Sequence, residues 1–294
     1  MPELPEVQTT VNGLNATVKG RKVVGVWTDY KSNLKMHERA IKNPAYFKQF
    51  KKKVVGAKIL GARRRAKNIL ISLSPQPCSG QATGETILVH MKMTGHFVYD
   101  PKPDYPYVHL AFDLDNGKRL VFSDMRKFAK VAFIETADAE KSFHLEHLGP
   151  EPLDKKFVYE DFKKRLLLKP NGKIKQVLLD QSVVVGIGNI YSDEILWLAG
   201  VHPVSIVSKI PEANFKLMFS AMKKTLEKGI DFGGDSTSDY RNIKGERGKF
   251  QATHNAYKMN KKPCKKRGCK GTIERLVVGG RSAHFCPVHQ KLFR

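Results

Sequence analysis

Acidic residues are scarce in this chain. Its 294 residues hold 28 Asp and Glu against 52 Lys and Arg, a formal net charge of +24. That imbalance selects a polyanionic partner, nucleic acid first, with a ribosome or a membrane surface behind it. Cysteine is scarce too: four residues are too few for a secreted disulfide scaffold. No apolar run approaches the roughly 18 residues of a membrane span. The acidic start lacks a signal-peptide core, so a cytoplasmic, nucleoid-associated location with no membrane partner is expected. Internal repeats and low-complexity tracts are absent. The hydrophobic share of 41% is ordinary and argues against disorder.

What is present divides by periodicity. Val7, Val11, Leu14 and Val18 recur at helical spacing and Gly20 can stop the turn, which predicts a helix over 5–19. From Lys22 to Glu135 the runs are short and β-rich: Lys22–Trp27, Val54–Leu60, Asn68–Leu73, Thr86–Met91, Val108–Leu114, Arg119–Phe122 and Lys130–Ile134. Turn signals such as Asp115-Asn116-Gly117 separate them, as in a sandwich or barrel. The composition shifts near Leu148-Gly149-Pro150-Glu151-Pro152-Leu153. Helical stretches follow at Tyr159–Leu168, Lys173–Asp180, Asn189–Leu198 and Glu212–Lys228. A polar loop over 230–248 leads to a very basic tail. The expectation is an α+β chain: a β-sandwich domain over 1–135, a linker over 136–149, a helical domain over 150–255 and a metal-bound finger over 256–294.

Three groups of residues carry chemistry. Pro2 follows the initiator Met, and removal of Met1 would leave a secondary amine. An α-amino group titrates near 7.7–8.0, so a neutral fraction exists at physiological pH without the desolvation a lysine requires. Such an amine condenses with a sugar C1′ to an iminium, and Glu3 adjoins it as an acid. A helix start, with Pro2 and Pro5 ahead of Glu3 and Glu6, is the structural alternative. The second group is Cys264-x4-Cys269 and Cys286-x2-His289, two ligand pairs separated by sixteen residues. They match a single structural Zn²⁺ that would supply folding energy to a segment too small for its own core. His284 is a competing ligand with poorer spacing, and Cys78 belongs to a polar loop. The third is basic and glycine-rich. Arg63-Arg64-Arg65-Ala66-Lys67 precedes a strand, and Gly186-Ile187-Gly188-Asn189 precedes a helix whose amides could hold a phosphate.

Taken in order, these features resemble the formamidopyrimidine-DNA glycosylase/endonuclease VIII family over nearly the whole chain. The matching segments are Met1-Pro2-Glu3-Leu4-Pro5-Glu6-Val7, Arg64–Lys67, His90-Met91-Lys92-Met93-Thr94-Gly95, Asp124-Met125-Arg126-Lys127-Phe128, Leu148–Leu153, Leu179–Pro203 and Gly280–Gln290. The resemblance implies a helix-two-turns-helix element and a zinc finger, with damaged double-stranded DNA bound by a monomer between its two domains and the target base swung out of the stack. It implies Pro2 as nucleophile, Glu3 as general acid, Lys67 in β-elimination and Arg281 in δ-elimination and phosphate binding. Glu6 and Glu194 resemble supporting acids, with capping as the alternative for both. Met93, Arg126 and Phe128 match the trio that fills the void left by the base, and Lys175 and Asn189 match phosphate contacts. The chain departs from the pattern in several places. Met125 replaces a proline, Tyr105 and Asn171 stand where a His and a Lys often touch DNA, the first cysteine pair is two residues wider, and His289 replaces a Cys. The expected activity is excision of oxidised purines (8-oxoguanine and formamidopyrimidines) with strand cleavage. Other readings are an enzyme for oxidised pyrimidines, a non-catalytic damage-recognition protein, and an RNA- or ribosome-associated protein.

Overall fold

The computed structural model describes all residues except 33, 35–37, 76–83 and 136–144. Cys78 and most of the expected linker lie outside the described residues. The chain forms two compact units, Met1–Glu146 with Gly233–Lys249, and His147–Phe232 with Phe250–Arg294.

The first unit is a sandwich of two four-stranded antiparallel sheets. One has the order β1-β6-β7-β5, from β1 (Val23–Thr28), β5 (His96–Tyr99), β6 (Val108–Leu114) and β7 (Arg119–Ser123). The other has the order β2-β3-β4-β8, from β2 (Ile59–Arg65), β3 (Asn68–Leu73), β4 (Glu85–His90) and β8 (Lys130–Glu135). Both sheets put alternate side chains into one core, among them Val26, Phe112 and Phe122 from the first and Ile69, Ile71, Val89 and Val131 from the second. Helix α1 (Leu4–Thr17) buries Val7, Val11 and Leu14 in that core, each at about 2 kcal/mol of apolar burial. Asn15 fixes α1 along β2 by bonding both the N–H and the carbonyl of Ala62, at 2.7 and 2.8 Å.

Two elements depart from the strand reading. Residues Pro44–Val54 form a helix, α2, where a strand was expected to begin at Val54. Asn43 caps it through Tyr46 N (3.0 Å), Pro44 opens it, and Phe50 and Val54 are buried. The strand expected over Val54–Leu60 starts only at Ile59 and runs through Arg63-Arg64-Arg65.

The second unit contains α3 (Tyr159–Leu166), α4 (Ile174–Leu179), α5 (Asn189–Ala199) and α6 (Glu212–Asp231). It ends in a hairpin of β9 (Glu274–Val278) and β10 (Arg281–Phe285) that packs on α5. Helices α4 and α5, with the turns between them, form the helix-two-turns-helix element. Gly200, in the left-handed region (φ 66°), ends α5. The expected helical domain over 150–255 is interrupted, because Gly233–Lys249 folds with the first unit. The cause is long-range: Ile243 joins the sandwich core and its carbonyl accepts from Tyr99 N at 2.8 Å.

Candidate active site and metal centre

Pro2, Glu3 and Glu6 lie at the start of α1, and all three are buried. Glu3 is the N-cap, and Glu6, three residues on, reaches back to it as in a capping box: Glu6 Oε2 accepts from Glu3 N at 2.7 Å. The other oxygen, Glu6 Oε1, accepts from Asp235 N at 2.7 Å. Tyr240 Oη donates to the Glu6 carbonyl at 3.0 Å. Burial pushes the Tyr240 phenol well above its ordinary value, so it stays a donor. Gly234 (φ +85°) is required here, since a Cβ would stand 2.9 Å from Tyr240 and 3.0 Å from Glu6. One carboxylate thus fixes both the residue beside Pro2 and the 233–249 segment.

Lys67 sits in the two-residue turn between β2 and β3, where Arg65 pairs with Asn68, and is 6% exposed. Arg64 holds the turn, donating from Nη1 to the Ala66 carbonyl (3.1 Å) and from Nε to Gln8 Oε1 on α1 (3.1 Å). Beyond Lys67 lies His90, whose Nδ1 accepts from Lys92 N at 3.0 Å. Burial first, then Lys92, Lys67 and Lys130, push its pKa down to about 3. The imidazole is therefore held neutral at neutral pH. Its pKa is depressed, so its contribution is complete above about 6.5 and is lost as pH falls toward 3, at about 1.4 kcal/mol per pH unit. Replacing His90 by Asn should flatten the acid side of the Tm-versus-pH curve between pH 6 and 4, as read by thermal melts.

Met93, Arg126 and Phe128 are exposed on two loops of the first unit, and the Arg126 guanidinium lies 4.5 Å from the centre of the Phe128 ring. Asp124, fully buried, ties the loops together. Its Oδ1 accepts from Thr94 Oγ1 (2.5 Å), and its Oδ2 accepts from Ala129 N (2.8 Å) and Tyr30 Oη (3.1 Å). Thr94 Oγ1 in turn accepts from Arg126 N at 3.1 Å. This scaffold sets the loop in which Met125 stands in place of proline. Asp124→Ala would leave several buried donors unpaired and cost about 3 kcal/mol. We expect excision of an intact lesion to fall at least about tenfold, with a smaller loss on a pre-formed abasic site; single-turnover assays on both duplexes check it. Tyr105, half-buried, is 3.1 Å from His96 Nε2 through its hydroxyl.

In the second unit Asn171 is exposed in the turn before α4, whereas Lys175 is fully buried. Lys175 Nζ donates to Asp193 Oδ1 (2.5 Å), Ser192 Oγ (3.1 Å) and the Asn189 carbonyl (3.4 Å). It therefore braces the α5 start from inside. Asn189 opens α5 with its Oδ1 buried and unpartnered. Glu194 accepts from the backbone of Asn255, Ala256 and Tyr257 at 2.9–3.0 Å, which makes it the cap of that turn. Arg281 is exposed at the start of β10, directly after a Gly279-Gly280 turn whose positive φ values (54° and 74°) suit a two-residue hairpin.

Cys264, Cys269, Cys286 and His289 place their donor atoms within 4.8 Å of one another. Cys269 Sγ and Cys286 Sγ are 3.6 Å apart, close to the ~3.8 Å edge of a tetrahedron with metal–sulfur bonds of about 2.3 Å. Cys264 Sγ is 3.2 Å from His289 Nδ1. His289 Nε2 lies 3.0 Å from the Trp197 carbonyl, which fixes the tautomer that leaves Nδ1 for a metal. Burial pushes the Cys286 thiol up to about 11, so a thiolate there calls for a cation. The donor set fits a structural metal ion. His284 is excluded from it: its Nδ1 is 2.8 Å from Asp193 Oδ2.

Residues 1–131 match the formamidopyrimidine-DNA glycosylase N-terminal domain, and residues 148–241 match the helix-two-turns-helix domain of the same enzymes. The chain belongs to the formamidopyrimidine-DNA glycosylase family. Among its relatives, the formamidopyrimidine-DNA glycosylase of Bacillus subtilis is 35% identical over 288 residues, covering 97% of this chain and 98% of the relative. That of Chloroflexus aggregans is 36% identical over 296 residues, covering 99% of each. The Lactococcus lactis Fpg, solved in complex with DNA containing an abasic site, superposes with a TM-score of 0.85 at 30% identity, over 98% of this chain and 99% of that one. A variant of the Lactococcus lactis enzyme solved with DNA containing Fapy-dG gives the same TM-score.

Against this family framework, three residues that spacing did not single out stand beside the expected ones: His90, Asp124 and Asp193. The two aspartates are buried and His90 partly so, and each lies inside a matching segment (His90–Gly95, Asp124–Phe128 and Leu179–Pro203) without having been singled out as a site residue. Asp193 joins Lys175 on α4 to His284 on β10, three residues beyond Arg281.

Proposed function

We propose that the protein is a bifunctional base-excision glycosylase and abasic-site lyase, acting as a monomer on oxidised purines in duplex DNA. With Met1 removed, the Pro2 nitrogen attacks C1′ of the damaged nucleotide, the base leaves with a proton, and Glu3 protonates the opening sugar. The resulting iminium acidifies the C2′ proton, whose removal expels the 3′ phosphate. Lys67 assists that β-elimination, and Arg281 binds phosphate and serves the δ-step. Met93, Arg126 and Phe128 fill the vacated stack. Tyr105, Asn171, Lys175 and Asn189 complete the DNA-binding set, with Lys175 acting through the Asn189 turn that it braces. One Zn²⁺ held by Cys264, Cys269, Cys286 and His289 stabilises the finger.

The observation that carries this reading is the buried Glu6 carboxylate, which accepts from Glu3 N and Asp235 N at 2.7 Å each and so fixes the backbone that sets buried Glu3 beside Pro2. A helix start alone needs no second carboxylate anchored to a distant loop. Borohydride trapping of untagged protein, with Met1 loss checked by mass, tests it on duplexes carrying 8-oxoguanine opposite cytosine, dihydrothymine or an abasic site. A covalent adduct on 8-oxoguanine with phosphate left at both ends is expected. Trapping only on dihydrothymine would move the substrate to pyrimidines, which one Lactococcus lactis complex with oxidised-pyrimidine DNA keeps in view. No adduct on any duplex would sink the catalytic reading.

A further inference from the structure

Two stretches of the first unit contain no carboxylate at all: residues 7–28 and 39–84. The fold brings their ends together. Gly20 N donates to the Ile59 carbonyl (2.7 Å), Ile59 N to the Arg21 carbonyl (2.8 Å) and Gly56 N to the Val23 carbonyl (2.7 Å), while Lys22 and Lys58 form a bridge. The last turn of α2 leads directly into this seam, with Val55 N bonded to the Lys51 carbonyl. Lys19, Arg21, Lys22, Lys51, Lys52 and Lys58 are thereby gathered at one end of the sandwich, all six exposed. Among the described residues none of the six is in an ion pair, whereas Lys53, next in sequence, is paired with Glu85 at 2.5 Å. The backbone of Asp115 reaches Lys22 (3.0 Å), and it is the single carboxylate residue bonded to the seam among the described residues.

This end is not the one that bears the candidate catalytic groups. Strand β2 runs from beside Lys58 to the turn holding Lys67, seven residues or roughly 20 Å at the usual strand rise. Helix α1 runs from Glu3 to beside Lys19, fourteen residues or about 21 Å. Two independent elements thus give the same separation. A duplex engaged at Pro2 and Lys67 has no reason to need these cations, and concentrating like charge at one end of a domain is unfavourable without a counter-charge.

We propose that this end of the sandwich is a second contact surface for DNA, which holds the phosphates of a duplex separate from the one in the active site. Five of its six cations are lysines, compact point charges on flexible stems that suit sequence-independent phosphate contact rather than the bidentate reading of base edges by arginine. The surface would let the protein hold two duplex segments at once and pass directly from one to the other.

The test saturates the active site with a short duplex carrying a non-cleavable abasic analogue, then measures binding of a second, labelled undamaged duplex by analytical ultracentrifugation and native mass spectrometry. Two duplexes per chain are expected at low salt, with the second affinity falling about a thousandfold between about 50 and 200 mM salt for some six phosphate contacts. The triple variant Lys19→Glu, Lys22→Glu, Lys58→Glu should lose the second duplex while binding and cleaving the first normally. Lys155→Glu, Lys156→Glu, Lys164→Glu, with the same net charge, should keep both. In stopped flow, release from a labelled duplex should accelerate with competitor duplex for the wild type and not for the first variant. A one-to-one complex at duplex excess would overturn the proposal. So would loss of the second duplex from both variants, which would assign it to net charge, or capture of a poly-glutamate peptide but no second duplex, which would assign the surface to an acidic protein segment.

Discussion

An uncleaved N-terminal extension should abolish borohydride trapping and lower lesion excision by at least about a thousandfold, some 4 kcal/mol in the barrier, while duplex binding changes by less than about tenfold. The reason is electronic. In a Met1–Pro2 amide the proline nitrogen has given its lone pair to the carbonyl, and only the freed secondary amine can form an iminium. Glu3→Gln is the companion variant. Gln keeps the size of the side chain and leaves the Glu3 N–H bonded to Glu6, so the helix start and the fold should survive, with Tm nearly unchanged, and the loss should fall on turnover. Glu6→Gln should behave in the opposite sense. Both oxygens of Glu6 accept backbone N–H groups, from Glu3 and Asp235. An amide must turn its NH₂ toward one of these donors, at a cost of about 1–3 kcal/mol. Calorimetry combined with single-turnover rates separates the two: an acid lost at constant stability for Glu3, a loosened 233–249 segment for Glu6. Equal trapping by blocked and free N-termini would remove Pro2 from the chemistry.

The candidate site residues could be named from the sequence because their spacing is local. Pro2, Glu3 and Glu6 lie within one helical turn, Lys67 within one hairpin, and the ligand pairs within two short spacings. What the sequence hid is what depends on distant partners. The 233–249 segment reads as a polar loop of the helical domain, yet Ile243 and the Glu6–Asp235 bond draw it into the sandwich. Helix α2 carries a helical signal in Asn43, Pro44, Phe47, Phe50 and Val54, but the lysine run and Val54-Val55 obscure it among strands. Lys175 matches a phosphate contact in the sequence, yet it is fully buried, and nothing in Ile174-Lys175-Gln176 announces that Asp193 lies opposite. The choice between His284 and His289 also depended on that aspartate, which engages His284 and leaves His289 to the cysteines.

Removing the metal, by chelation or by Cys286→Ser, should unfold the finger and weaken duplex binding by at least about a hundredfold, while the sandwich stays folded. The apolar cluster around the site is small, with Trp197, Ala256, Cys264, Ile273 and Cys286 buried and Met259 and Cys269 packed against it. Three of its seven members are candidate ligands, so little apolar burial remains once their thiolates repel one another, and a bound metal would supply most of the folding energy. Trp197 makes the transition visible. Its carbonyl is 3.0 Å from His289 Nε2, and its ring meets the His289 ring edge-on at 5.0 Å. Chelation should shift its emission to the red, and a Trp27→Phe background isolates the signal, since the chain has two tryptophans. Readdition of Zn²⁺ should restore emission and binding together, at one metal per chain. The β9–β10 hairpin is coupled to the same event, because Phe285 and Cys286 follow directly on the His284–Asp193 bond. Arg281 should then lose its fixed position with the metal, so strand cleavage should suffer beyond the loss in binding. A metal-free protein that binds and cleaves DNA normally would show that the hairpin is held by Asp193 and the α5 contacts alone.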